Sequence, residues 1–491
     1  MTSARDLLAA APLEADLHPW PGRVLDADSW RALATAPESE ELLLLALWAS
    51  GTRVRALFRG PAGDILPVVA PLADRGFAAL SPHWPVADDF ERVVGDLWGY
   101  RAAGGKDAPL LDHGLWPCTA PLAARPGPPA AEPAWAEFFP DAPSGQLAIG
   151  PASGDLAGPV HWRFRLDGEC IAAAARRPGY AHKGQIALMR DRTARVAARF
   201  AARLAAEATV AHSLAFATAA EAALGVAAPP RAVALRGVMA EIERIATHLS
   251  RLVTLAELTG AAPAARLGAA ALAALREACG SVFGHRLMMD VLIPGGLAGD
   301  LDAAGARGLA GALDQVESRL AGLSLAEAAL AGRGRVARDT LRGLTGCGFA
   351  ARASGSRDDA RRSPGYPPYD RLDFALPGIV GGDAGARART RREEIALALT
   401  LARVLLADLP PGPVLAPLPN GTGKGLGLAE GPEGEIWHFL EIEGGLIVAA
   451  FPCDPGWRTG TLLEAALRGA AWDEFALIRA SFGGSVSGMD L

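Results

Sequence analysis

Four side chains in the stretch EIERIATHLSR, namely Glu241, Arg244, His248 and Arg251, recur at intervals of three or four residues. That interval places them in one stripe along a helix. A carboxylate and an imidazole sharing a helical face are the parts of a proton or charge relay. Beside the stripe, Val238, Ile242, Ile245, Leu249 and Leu252 repeat at the same interval and form an apolar seam. The polar stripe flanks the seam instead of opposing it, so half-buried, paired charges are expected. The competing reading is a solvated face whose ion pairs contribute a few tenths of a kcal/mol each.

Three other stretches carry chemistry-bearing residues. After GYAHKGQ, Arg192, Arg195, Arg199 and Arg203 recur on one helical face without interleaved acids. They would repel one another unless an acidic partner docks there or the face is solvated. Between RASG at 352–355 and YDRLDF at 369–374, the loop residues Arg357, Asp358, Asp359, Arg361 and Arg362 make either a buried ion-pair network or a hydrated surface loop. GTGKGLG at 421–427 has the glycines of a phosphate loop but no Ser or Thr after Lys424 and no apolar strand before it, so it reads as a flexible turn and not a nucleotide site.

The last stretch, SFGGSVSGMDL, holds Gly483, Gly484 and Gly488 with Ser485 and Ser487. It can form a loop around something, but its hydroxyls are weak ligands. The five cysteines, Cys118, Cys170, Cys279, Cys347 and Cys453, include no CxxC pair. This argues against a zinc ribbon, a resident iron-sulfur site or a disulfide framework, and for a reducing compartment. No metal ligand set is expected.

The elements that must position these residues follow from length and periodicity. With 491 residues the chain exceeds the roughly 250–300 residues of one core, so at least two domains are expected. Residues 1–117 mix β-like runs (TRVRALF, DILPVVAPL, FAALSP) with helical segments and read as a small α/β domain. Eight prolines between Pro117 and Pro143 exclude regular structure and mark a linker over 118–145. Residues 146–491 read as a mainly α-helical bundle with peripheral β-sheet: bundle helices over 186–223, 231–259, 263–291, 303–333 and 387–408, strands in LAIG and VHWRFRLDGECIAAAA, and a hairpin over 435–451 turning at Gly444-Gly445. The fold class is therefore α+β. A net charge of -6 gives no case for nucleic acid or an anionic membrane surface. No apolar run reaches the ~18 residues of a spanning helix, and Asp6, Glu14 and Asp16 make the N-terminus unlike a secretory signal.

In order, these motifs resemble a known family. SPHWPVADDFERVVGDLWGYR, with Glu91-Arg92, Asp96, Leu97, Trp98, Gly99 and Tyr100, followed by LWP at 115–117, resembles the end of the C-type subunit of respiratory complex I. IGPAS, FRLDGE, YAHKG, EIERIATHL, PGG at 294–296, ARASG and YDRLDF then follow in the order found in the D-type subunit of complex I and in the large subunits of hydrogenase-3/4-type nickel-iron hydrogenases. The chain is similar to a fusion of the two modules.

The resemblance implies an oxidoreductase subunit of the NADH-quinone oxidoreductase type. It implies nickel-iron thiolate pairs in two places, one after YAHKG and one near SFGGSVSG; here these hold ARLAAEATVAH at 202–212 and hydroxyls, so no nickel-iron site is expected. The quinone-contacting histidine of the family corresponds to Ser153, and the quinone-contacting tyrosine to Ala194 or Arg195. His161 and His182 are nearby substitutes, with Ser485 and Ser487 at the rim of the emptied cavity. Glu241, Arg244 and His248 would line or stabilise that cavity as the catalytic relay. Implied partners are a small iron-sulfur subunit that supplies the cluster, a ferredoxin-like subunit and antiporter-like membrane subunits, with any NAD link made through partners. The implied location is the cytoplasmic face of the inner membrane. The alternative is a non-catalytic assembly or regulatory paralogue that docks an iron-sulfur subunit.

Overall fold

The computed structural model describes residues 3–36, 42–72, 76–130, 138–139, 145–153, 158–483 and 485–491. Parts of the proline-rich linker (131–137 and 140–144) and Gly484 of the terminal loop lie outside the described residues. In the N-terminal region a five-stranded sheet has the order Leu13–Glu14, Gly22–Val24, Ile65–Pro71, Arg53–Arg59, Leu43–Ser50. The apolar Leu43–Ser50 strand is buried almost throughout. The Ala87–Trp98 helix packs against this sheet through Phe90, Val93, Val94 and Leu97, whose spacing makes one apolar face.

The bundle consists of α1 (Thr209–Leu224), α2 (Pro230–Leu258), α3 (Ala262–Phe283), α4 (Ala303–Leu320) and α5 (Ala384–Ala407). Of the five helical segments expected from periodicity, the first is the most altered. Residues 186–223 are divided into Gln185–Met189, Ala194–Ala201 and α1; at the first break Arg190 is extended and Asp191 takes the left-handed conformation (φ 57), which interrupts the chain of helical hydrogen bonds. The helix expected over 263–291 stops at Phe283, where Gly284 caps it with φ 77. The segment expected over 303–333 ends at Leu320 and resumes for one turn, Glu327–Leu330.

GTGKGLG corrects its reading as a flexible turn. It opens β1 (Gly423–Glu430), which pairs with β2 (Glu435–Glu443), itself paired with β3 (Leu446–Cys453) across the tight turn at Gly444 and Gly445. Gly423, Gly425 and Gly427 share one face of β1 because side chains alternate along a strand. α1 lies directly on that face: a Cβ at these positions would come within 2.1, 1.9 and 1.8 Å of the carbonyl oxygens of Ala223, Ala219 and Ala215. The glycines are there to admit a helix backbone, not a phosphate.

The N-terminal region and the C-terminal sheet share a hydrophobic core. Trp48 and Phe90 meet Phe451 and Trp457, and Leu17–His18 adds a parallel edge strand to β1. Two buried carboxylates fasten the seam. Glu435 accepts from Arg59 and Arg458. Glu14 accepts from Arg55 at 2.7 and 2.9 Å and from Lys424 at 2.9 Å. Burial pushes the Glu14 carboxyl up, but Arg55 and then Lys424 outweigh it and lower it from 4.5 to about 2. A carboxyl depressed in the folded state contributes stability above its unfolded value, and that stability is lost as pH falls toward the folded one. Urea unfolding should therefore show wild-type stability falling between pH 4.5 and about 2. Glu14→Gln should flatten that part of the profile.

Candidate functional site

Glu241, Arg244 and His248 on α2 are 0%, 1% and 0% exposed, so the solvated-face reading of the stripe fails. Burial of such charges is tolerable only with full pairing, and the partners come from elements distant in sequence. Arg361 donates from Nη1 to both oxygens of Glu241 (3.1 and 3.2 Å), the Tyr369 hydroxyl donates to Oε1 (2.6 Å), and Arg244 Nε donates to Oε2 (3.3 Å). Arg244 also donates to the carbonyls of Glu430 and Gly431 at the end of β1. Arg361 further donates from Nε and Nη2 to Asp359 (2.9 and 2.7 Å), and Asp359 lies 3.4 Å from Arg352 Nη1. Arg352 donates from Nε to Glu394 Oε1 on α5 (2.6 Å) and from Nη1 to Glu430 Oε1 (2.9 Å).

The chain of charges continues through His248. Its Nε2 meets Glu394 Oε2 at 2.9 Å and its Nδ1 meets Arg391 Nη1 at 2.9 Å. Arginine only donates, so Nδ1 is bare and Nε2 carries the proton. A neutral imidazole also follows from burial, which with the nearby arginines lowers His248 from 6.5 to about 4 against the opposing pull of Glu394. Arg391 then donates to Glu433 (3.0 Å), Glu433 accepts from Arg251 (3.4 Å), and Arg251 lies 3.7 Å from Glu207. An ion chain therefore runs from Glu241 to Glu207, inside the 202–212 segment. Burial pushes Glu394 up, but Arg352 and His248 hold it well below the usual carboxylate range. Asp359 is likewise held low by Arg361 and Arg352.

This geometry decides what the stripe can do. Each carboxylate is separated from the next by a guanidinium or by the one imidazole, and guanidinium groups keep their protons at any physiological pH. Proton hopping along the chain is blocked at every arginine. What such a chain transmits is charge displacement: moving one ion pair changes the field at the next in a medium of low dielectric.

The loop between RASG and YDRLDF divides. Asp359 and Arg361 belong to the buried network, whereas Arg357, Asp358 and Arg362 are exposed. Of the arginine stripe, Arg203 is held by Asp290 through two 2.7 Å bonds and Arg195 donates to the carbonyl of Ala416 at 2.8 Å. Acids are thus supplied from another element, while Arg192 and Arg199 are exposed.

The remaining sequence candidates fall in two groups. His182, Ser485 and Ser487 come together around the terminal loop: His182 Nδ1 meets the Asp490 carbonyl at 2.6 Å, its ring stacks on Trp116, and Ser487 Oγ donates to the Leu204 carbonyl at 2.8 Å while its N–H reaches Ser485 Oγ at 3.3 Å. Lys183, part of the YAHKG motif but not among the expected site residues, donates from Nζ to Ser487 Oγ (2.8 Å), the Ser487 carbonyl (3.1 Å) and the Leu204 carbonyl (3.0 Å). Its ammonium joins the two segments in which the resemblance places metal thiolates. An ammonium flanked by hydroxyl and carbonyl oxygens does not suit a soft thiolate-bound metal. Ser153 is exposed on the loop after the Gln146–Ile149 strand. His161 begins the His161–Asp167 strand, with its ring edge-on to Phe138; burial, with Arg163 and Arg177, lowers its pKa.

A second buried titratable set also escapes the sequence reading. His212 on α1 bonds through Nε2 to Asp454 Oδ2 (3.0 Å) and through Nδ1 to His438 Nε2 on β2 (3.1 Å). No spacing signal links residues so far apart in sequence.

Comparison with known proteins yields a consistent set of matches. Residues 272–450 match the family described as respiratory-chain NADH dehydrogenase, 49 kDa subunit. The carbon monoxide-induced hydrogenase of Rhodospirillum rubrum is 29% identical over 312 residues, 61% of this chain and 85% of its own. The D-type subunit of NADH-quinone oxidoreductase from Desulfitobacterium hafniense is 27% identical over 302 residues, 60% and 80% of the two chains, and that from Saccharopolyspora erythraea is 29% identical over 350 residues, 66% and 77%. A chain of the membrane-bound sulfane sulfur reductase, an archaeal respiratory membrane complex, shares the fold with a TM-score of 0.66 at 22% identity, over 71% of this chain and 98% of that one. Among the described residues no helix is long and apolar enough to cross a membrane.

Proposed function

We propose, from the premise that this chain is a relative of the 49 kDa (D-type) subunits and of a carbon monoxide-induced hydrogenase, that it is a peripheral subunit of a membrane-associated complex I-like oxidoreductase. In this reading residues 1–117 and 146–491 are two modules joined by 118–145. The chain clamps a small iron-sulfur subunit, and electrons pass from the cluster of that subunit to a quinone. Ferredoxin-like and antiporter-like membrane subunits complete the assembly.

The observation that carries the proposal is the ion chain from Glu241 through Arg361, Asp359, Arg352, Glu394, His248, Arg391, Glu433 and Arg251 to Glu207, buried as far as Arg391 and half-buried beyond it. Such a chain couples a charge change at the emptied metal segment to the bundle interior, where Glu241 and Arg244 anchor it. Ser153, His161, His182, Ser485 and Ser487 would face the quinone. His182 donates from Nδ1 to a backbone carbonyl, so its neutral ring offers Nε2 as an acceptor, which suits a quinol hydroxyl and not a quinone carbonyl.

In the assembled complex, Glu241→Gln should reduce coupled turnover while the subunits stay associated. An unchanged rate removes Glu241 from the mechanism. A second reading, a non-catalytic assembly or regulatory paralogue that docks an iron-sulfur subunit, is favoured by Lys183, whose ammonium ties Leu204 to Ser487 where a ligand would have to enter.

A further inference from the structure

A cavity of about 160 Å³ opens between α2, α3 and the segment after α3, bounded by Ala206, Glu207, Glu243, Arg276, Cys279 and Arg286. Its charges do not balance. The Nε of Arg276 is buried without a hydrogen-bond partner, and among the described residues neither Arg276 nor Arg286 has a carboxylate within ion-pair distance. Burial and then the like charge of Arg286 both lower the Arg276 pKa. Arg276 is half-buried and Arg286 is exposed at the cavity mouth; the cost in protein alone falls on the buried, unsatisfied Nε of Arg276.

The acidic groups in the wall do not relieve it. Glu207 faces Arg251 at 3.7 Å. Glu243 spends both oxygens on the Val210 and Ala211 amides at 2.6 and 2.9 Å, and burial pushes its carboxyl up to about 8. Burial also pushes the Cys279 thiol up to about 12, which keeps it neutral. The wall carrying Arg286 is fixed: Met288 is buried in the left-handed conformation (φ 53), and Asp290 (φ 64) is clasped by Arg203. Non-glycine residues hold that conformation only where the surroundings enforce it.

We propose that this cavity is an oxyanion site in which Arg276 and Arg286 clasp a small anion, either an inorganic oxyanion or a carboxylate. Guanidinium forks suit both chemistries. Its volume of about 160 Å³ leaves room for a small anion. The site adjoins the end of the ion chain, whose Arg251 and Glu207 share its wall, but nothing in its chemistry requires electron transfer.

Isothermal titration of the full chain with inorganic phosphate and, separately, with succinate, at ionic strength held constant with sodium chloride, tests it. Saturable one-site binding of either anion is expected. Phosphate alone assigns an inorganic oxyanion, succinate alone a carboxylate, and both together the shared chemistry. Arg276→Leu and Arg286→Leu should each weaken binding by about tenfold or more, the loss of one charge-assisted hydrogen bond. Arg307→Leu, an exposed arginine on α4, should leave it unchanged. If a leucine variant fails to fold by circular dichroism, Arg276→Lys, which keeps the charge and loses the fork, should show intermediate affinity. Absence of saturable binding by both anions, or binding indifferent to the Arg276 and Arg286 changes, overturns the proposal.

Discussion

Arg352→Met is expected to destabilise the chain by about 3–5 kcal/mol, the range for breaking a buried ion pair from one side. Arg352 is fully buried and serves Glu394, Glu430 and the Asp358 carbonyl, with Asp359 at 3.4 Å. Removing it leaves Glu394 with only His248, which is neutral, and Glu430 with only the Ala360 amide and Arg244 nearby. Methionine preserves volume, so the loss reflects charge and not a cavity. Urea denaturation at pH 7 should show the full loss. At pH 5 the loss should be smaller, because without its guanidinium Glu394 rises toward protonation and a neutral carboxyl is cheaper to bury. An equal loss at both pH values would mean that packing, and not the ion network, is what the substitution damages.

Gly427→Val on β1 should cost about 3 kcal/mol or more, at the upper end for overpacking. Even a Cβ there meets the Ala215 carbonyl oxygen at 1.8 Å, the Ala219 nitrogen at 2.6 Å and Thr218 Oγ1 at 2.6 Å. The obstacle is helix backbone, which cannot rotate away, so α1 must retreat from the sheet. That displacement would also pull His212 from His438, which sits opposite Gly427 in the ladder. Thermal denaturation followed by circular dichroism checks the prediction. Gly308→Ala on α4, where a Cβ meets nothing within 4 Å, serves as the control and should be neutral or stabilising.

The bundle was legible wherever apolar residues kept a helical period over several turns, as in α2, found at Pro230–Leu258 against the expected 231–259. The breaks at Asp191 and Gly284 were harder to read: a single residue in the left-handed region ends a helix without disturbing the surrounding periodicity. In the candidate site, the stripe of Glu241, Arg244 and His248 was visible, but its burial was not. The same spacing describes a solvated face, and the deciding partners, such as Glu394, 146 residues from His248, are set by tertiary packing. GTGKGLG shows the opposite failure. Glycine is a poor strand former and marks turns in general, and its purpose on β1 emerges only when α1 is laid across it. Arg276 and the His212–His438–Asp454 set carry no local pattern at all; each acquires meaning from neighbours brought in by the fold, as does the role of Lys183 within YAHKG.

The central claim is that this chain works within an electron-transferring assembly whose iron-sulfur cluster communicates with a quinone beside the emptied metal segment. The most direct test is to purify the chain with its bound partners, reduce the complex, and record iron-sulfur electron paramagnetic resonance with and without added quinone. The iron-sulfur subunit is predicted to co-purify, and its signal to change in line shape or extent of reduction when quinone is present. A complex that co-purifies intact but whose signal is indifferent to quinone would contradict the claim, and would leave the chain with a docking and assembly role.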